Sequence, residues 1–326
     1  MSAGDRNQAT LAWGEGENRL RKKSAPWRDR SGRLSGLKAV VLALLVVPAL
    51  LAAGQWATGR LTGHPDQAVL LLSGYWSDRL LVLTLAITPL AAIFALPRLI
   101  LVRRMVGLAA GAYALAHLGV YALQQGFAWR FIAVQMVSHP VLTIGTLSIL
   151  GMAALAVTST DGWVRRLGRA WKKLHLLVHP AIVLALLHTF MEAPTAVSRA
   201  AIFSGFYLWL LGWRLMPREW RRQPPALFGL AIIAAVLTSG VEAGWYAIAT
   251  GLPAERIFAA NFSLIAGLRP AHWVGLGCLA LAFLVTLRRM MTRTPLSDMS
   301  IGRRKRMPGE RNPPPGAGGA RQPAPQ

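Results

Sequence analysis

One cysteine in 326 residues, Cys278, leaves no partner for a disulfide within the chain and too few thiolates for a zinc ribbon or an iron–sulfur cluster. Acidic residues are also scarce, 13 against 36 Lys and Arg, so the formal net charge is +23. Charged residues of both signs make up only 15%, hydrophobic residues make up 54%, and mean hydropathy is +0.40, which excludes the two soluble domains that length alone suggests. No Gly-x-Gly-x-x-Gly turn follows a strand-like run, and the residues after the last apolar stretch are too few for a dinucleotide-binding domain, so any flavin or nicotinamide donor is expected outside this chain. No Ser/His/Asp or Cys/His grouping is present, which argues against a hydrolase.

What the chain has instead is apolar stretches long enough to span a bilayer, at about 38–59, 79–98, 105–125, 140–159, 173–192, 199–214, 226–249 and 271–288. The expected fold is therefore an all-α polytopic membrane bundle of about eight transmembrane helices with both termini on one side. Under that topology 30 of the 36 Lys and Arg fall on the side of the termini, and only Arg60, Arg79, Arg130, Arg199, Arg256 and Arg269 fall on the other. The positive-inside rule makes the termini cytoplasmic, and the basic excess reads as topology, with some attraction to anionic lipid headgroups, rather than nucleic-acid binding. The first span, after a long polar arm, is expected to stay in the mature protein as a signal anchor.

Residues 1–37 and 292–326 are polar and basic, with Pro313, Pro314 and Pro315 in the second, and both are expected to be disordered. Between them the expected divisions are 38–72 (first span and outer loop), 73–214 (core) and 215–291 (two further spans). In the outer stretch 250–270, residues 254–262 suit a short surface helix or an ordinary loop equally.

Four of the seven histidines, His117, His175, His179 and His188, lie on two spans that run in the same direction. His117 follows Arg104 by 13 residues and His188 follows His175 by 13, a rise of about 20 Å, so His117 and His188 share a depth toward the far leaflet. Ionisable side chains in spans are costly and usually face a partner inside the bundle. Two neutral imidazoles at one depth suit the axial positions of a b-type haem, or else each donates a hydrogen bond to backbone or hydroxyl groups. An ideal helix leaves His175 and His188 about 140° apart, which Pro180 would alter by bending it.

His175, at the cytoplasmic end opposite Arg103 and Arg104, fits a second haem or a flavin or quinone site in which arginine holds propionate or phosphate; equally, the arginines only fix topology. His179 is either an alternative ligand or a polar contact. Glu242, the carboxylate set deepest in a span, either snorkels, pairs with an arginine or relays protons. His64, His139 and His272 lie at interfaces and carry no assigned role.

The stretch Leu85–Leu90, then Arg103-Arg104-Met105-Val106-Gly107-Leu108 leading to Ala116-His117-Leu118 and Tyr121, resembles the MsrQ (YedZ) family. So do His139-Pro140 through Thr143, Thr158-Ser159-Thr160, and Leu167 to His175 before Leu187-His188, over roughly residues 73–214. The resemblance implies membership of the ferric-reductase-like transmembrane superfamily. It implies a haem b subunit, with one haem or two, that passes electrons from the quinone pool or a flavin donor to a periplasmic molybdopterin reductase of MsrP type, which repairs methionine sulfoxide in proteins. It implies haem-related roles for His117, His175 and His188, a role for the basic pair Arg103 and Arg104, and an association with FMN to which no residue is assigned. His179 stands where relatives often carry an aromatic residue, the N-terminal arm is longer than usual, and the last two spans extend beyond shorter members. The expected function is electron transfer without substrate chemistry in this chain; the alternatives are a ferric reductase, a cytochrome b subunit of another oxidoreductase, or a haem-free proton-coupled transporter.

Overall fold

The structure, a computed structural model, describes residues 34–60, 64–265 and 267–292. The expected arms 1–37 and 292–326 lie outside these residues except at their inner ends. Among the described residues, two units are distinguished, divided after Thr286. The helices in order are α1 (Gly36–Ala57), α2 (Pro65–Ile93), α3 (Ile100–Gln124), α4 (Trp129–Ser138), α5 (Pro140–Val157), α6 (Asp161–Leu167), α7 (Arg169–Leu174), α8 (Val178–Glu192), α9 (Ser198–Leu215), α10 (Pro224–Thr250), α11 (Ala254–Ala260) and α12 (Pro270–Thr292), with 3₁₀ turns at Pro97–Leu99 and His175–Leu177. No strand occurs among the described residues. The all-α polytopic bundle is borne out.

Among the described residues seven helical segments are long and apolar enough to cross a membrane, against the eight expected. The expected span 199–214 is α9, 18 residues long, in which Arg199, Ser204, Gly205, Gly212 and Arg214 dilute the apolar content. Its Trp209, Leu210 and Trp213 are buried among other helices. A helix shielded by its neighbours does not need a lipid-grade surface.

The larger difference concerns α2, which begins at Pro65, whereas the apolar stretch expected to form the second span begins at about residue 79. Proline at the first helical position and Asp66 in the first turn start it. Hydropathy missed this half because Ser73, Ser77 and Asp78 are polar, yet all three are buried and face the bundle. Pro89 lies inside the same helix and has no N–H to give the Leu85 carbonyl. Arg214 of α9 supplies the donor from Nη2 at 2.6 Å, and its Nη1 donates to Leu210 at 2.8 Å.

Lipid gives no hydrophobic drive to bring helices together, so close contact relies on small residues and polar links. A Cβ at Gly205 would fall 2.1 Å from Thr238 Oγ1 and 2.6 Å from Val274 Cγ2, so α9, α10 and α12 meet at a point only glycine permits. At the end of this group nearest the C-terminus of α10, Glu242, almost fully buried, accepts from Arg269 Nη2 at 3.0 Å and from Asn261 Nδ2 at 2.6 Å. Asn261 Oδ1 in turn accepts from the Ala271 N–H at 3.3 Å. Of the three readings of Glu242, the arginine pair is the one the structure contains. The outer stretch after α10 folds as the short helix α11 and is tied down through this carboxylate. By contrast α1 is largely lipid-facing; Tyr113 of α3 holds it by donating to the Leu45 carbonyl at 2.9 Å.

Removing one member of a buried ion pair strands the other charge, at a cost of about 3–5 kcal/mol. Arg269→Gln is therefore expected to lower the unfolding temperature of detergent-purified protein more than the double change Glu242→Gln with Arg269→Gln does. Equal losses would show that the ion pair is not what holds the outer segment.

Candidate functional site

α2 with α3 and α5 with α8 form two helical pairs, and α2, α3, α5 and α8 enclose a cavity of about 610 Å³ counting its open side. His117 of α3 and His188 of α8 face each other across it, ring centroids 6.2 Å apart and planes at 83°. His117 Nδ1 lies 2.8 Å from the Leu70 carbonyl of α2, and His188 Nδ1 lies 2.9 Å from the Val141 carbonyl of α5. A carbonyl only accepts, so Nδ1 carries the proton in each ring and Nε2 keeps its lone pair. Each ring is seated on a glycine: a Cβ at Gly145 would lie 2.9 Å from His188 Nδ1, and one at Gly74 would lie 3.1 Å from His117 Nδ1.

These distances fit a haem held between the rings. A metal–imidazole bond of about 2 Å on each side, plus a ring radius of roughly 1.2 Å, would put the centroids of two ligand rings about 6.4 Å apart. The remaining lining is mostly apolar, with Ala114, Met152 and Ala185, and the polar exceptions are Tyr75, Ser77, Asp78, Ser148, Thr189 and Glu192. Thr189 donates to Asp78 at 2.8 Å.

The two pairs repeat each other. Leu70 and Val141, Gly74 and Gly145, Ser77 and Ser148, Ala110 and Ala181, and His117 and His188 are each separated by 71 residues. The contacts repeat as well. Each histidine bonds the carbonyl 47 residues before it, while Ser77 donates to Ala110 at 3.1 Å and Ser148 to Ala181 at 2.9 Å, each 33 residues on. Matching contacts on matching residues make the two pairs copies of one unit, each contributing one imidazole to the shared cavity. The seat residues, glycine, serine and carbonyl, escaped the sequence reading because each is unremarkable alone; comparing the chain with itself at an offset of 71 reveals them.

At the other end of these helices the repeat fails. His175 is the counterpart of Arg104, and the two do not meet. Arg104 Nη1 pairs with Asp161 Oδ1 at 2.6 Å on an exposed surface. His175 stacks on Trp171 with centroids 3.9 Å apart, and its Nδ1 is 3.2 Å from the Trp171 carbonyl. His179 Nδ1 lies 3.2 Å from the Tyr207 hydroxyl, which makes a polar contact. Arg103, rather than Arg104, lies within electrostatic reach of both His175 and His179. The azimuth problem dissolves in part, because His175 belongs to a 3₁₀ turn outside the register of α8. No group of three or more His, Cys, Asp or Glu suited to a metal ion occurs among the described residues.

Residues 73–186 match the family described as ferric reductase like transmembrane component. Among curated proteins, the chain is 41% identical over 156 residues to the protein-methionine-sulfoxide reductase heme-binding subunit MsrQ of Xanthomonas campestris pv. campestris (strain 8004), covering 47% of this chain and 71% of that protein. It is 38% identical over 175 residues to the subunit of the same name from Xanthomonas axonopodis pv. citri (strain 306), with 52% and 80% covered. For the Caulobacter vibrioides protein of that name the identity is 36% over 197 residues, with 60% and 92% covered. No solved structure matches the chain.

Gly145→Leu leaves both histidines in place but puts a side chain where the His188 ring sits. Haem per chain, measured as pyridine haemochrome on folded protein, is expected to fall to the level of His188→Ala. Full haem in Gly145→Leu would refute the glycine seat.

Proposed function

The chain belongs to the MsrQ family of haem-binding subunits of protein-methionine-sulfoxide reductase, and from there we propose that His117 and His188 are the axial ligands of one haem b in a transmembrane electron-transfer subunit. The observation that carries the reading is the facing pair of imidazoles, 6.2 Å apart, each with its Nδ1 committed to a carbonyl. Haem b bound there supplies one-electron chemistry. The chain's part is to hold both Nε2 lone pairs inward, to exclude bulk water with Ala114, Met152 and Ala185, and to keep the site toward the face reached by the C-terminal end of α3.

In this reading the termini are cytoplasmic in a bacterial inner membrane and the imidazole pair lies toward the periplasm, where a molybdopterin reductase of MsrP type takes the electrons and reduces methionine sulfoxide in oxidised proteins. Electrons enter from the quinone pool or from a flavin donor on the strongly basic side. There Arg103, His175 and His179 form the place for the anionic groups of a second haem or of FMN; Arg104 is held away by Asp161. Outer-sphere transfer needs no substrate bond to be made or broken by this chain.

Reduced purified protein is expected to show a b-type spectrum and to reoxidise when the partner reductase and an oxidised, methionine-rich protein are both added, and not when either is omitted. Reoxidation by ferric chelates alone at the same rate would favour a ferric reductase. Colourless protein would favour the transporter reading.

A further inference from the structure

The cavity between the imidazoles also holds a carboxyl group that simple electron transfer leaves without a task. Asp78 of α2 is 8% exposed and lines the cavity together with His117 and His188. An ionised carboxylate in a span is costly, and among the described residues no Lys, Arg or His nitrogen lies within salt-bridge distance of this one. Arg79, next in the chain, lies 5.0 Å over the Trp76 ring and outside the cavity lining. The titratable groups facing Asp78 across the cavity are Tyr75 on its own helix, His117 on α3, and His188 and Glu192 on α8; α5 contributes none to the lining. From α9, Arg199 reaches over the Tyr75 ring at 4.2 Å.

Thr189 is the side chain that bonds Asp78, and it stands between two acceptors. Its Oγ1 lies 2.8 Å from Asp78 Oδ2 and 3.1 Å from the Ala185 carbonyl. A hydroxyl has one proton and cannot donate to both. With Asp78 ionised, Thr189 donates to the carboxylate. With Asp78 protonated, the carboxyl donates to Thr189 Oγ1 and Thr189 donates to Ala185, so both contacts become hydrogen bonds. One set of heavy-atom positions thus serves both protonation states. We propose that Asp78 takes up one proton when an electron arrives between His117 and His188 and releases it when the electron leaves; this rests on the haem reading of those two histidines. The electron comes from the quinol or flavin donor and reduces ferric iron to ferrous. The proton comes from water at the open side of the cavity and forms the O–H bond on Asp78 Oδ2, and no other bond changes. In a water-poor cavity the added electron and the carboxylate repel each other strongly, and the proton removes that repulsion.

The test is a spectroelectrochemical titration of the haem-loaded, detergent-purified chain at a series of pH values. The wild-type midpoint potential is expected to fall as pH rises, with a slope approaching about 59 mV per pH unit, the tenfold change per unit that one proton per electron implies. Asp78→Asn keeps the size of the side chain and an oxygen for Thr189 but cannot ionise. It is expected to retain haem and to give a flat potential, equal to the acid wild-type value and above wild type at alkaline pH, because it lacks the negative charge that favours ferric iron. Glu192→Gln, which removes the other carboxylate of the lining, should keep the wild-type slope. Redox-difference infrared spectra of wild type need no variant to fold: reduction should bring in a protonated carboxyl band that shifts in D2O and on labelling with ¹³C-aspartate, which haem propionates would not do. A flat potential in haem-loaded wild type, an unchanged slope in Asp78→Asn, loss of the slope in Glu192→Gln, or no aspartate-sensitive band would overturn the proposal and leave the haem reading standing. Folded wild type that binds no haem would instead overturn that reading, and this proposal with it.

Discussion

Two hydrogen bonds, from His117 to the Leu70 carbonyl and from His188 to the Val141 carbonyl, set the centre of this bundle. Without them an imidazole in a span is a costly polar group free to turn; with them each ring has one protonation pattern and one direction. The carbonyls belong to α2 and α5, so the bonds also fix how deep those helices sit against α3 and α8. Each ring lies against the partner helix's backbone at a glycine: a Cβ at Gly145 would press on the His188 ring at 2.9 Å, and one at Gly74 would crowd the His117 ring at 3.1 Å. The site is thus built from backbone and absent side chains as much as from the histidines.

The 71-residue repeat explains why the two seats match and shows where they diverge. Ser77 and Ser148 make the same cross-helix bond in each half, so the halves pack alike as far as mid-membrane. Beyond it, Thr88 and Ser159 stand in equivalent positions but behave differently: Ser159 Oγ lies 3.4 Å from His175 Nε2, while Thr88 Oγ1 is buried without a partner. The residue that would answer His175 is Arg104, drawn out to Asp161. One end of the four-helix group therefore keeps a symmetric imidazole pair and the other holds a basic, asymmetric cluster.

Much of this was legible in the chain. Hydropathy placed most of the spans, and equal 13-residue steps placed His117 and His188 at one depth. Depth is a one-dimensional property that residue counting can deliver; azimuth is not, and which side of α3 or α8 a ring faces depended on packing. The outer half of α2 was hidden because Ser73, Ser77 and Asp78 look like loop residues until it is known that they face inward. Arg104 was read opposite His175 because both sit at helix entrances, but Asp161, on a short helix no hydropathy scan resolves, takes it away. Glu242 and Arg269 were each visible as charges, whereas their pairing depends on α11 bringing Asn261 to the same place.

The central claim is that the two facing imidazoles, held at 83° to one another, are the ligands of one iron. Electron paramagnetic resonance of the oxidised protein tests it most directly, since the angle between axial ring planes governs the anisotropy of a low-spin ferric haem. The account predicts a highly anisotropic low-spin signal of the kind given by near-perpendicular imidazoles. A high-spin ferric signal, or a rhombic low-spin signal of parallel rings, would contradict it.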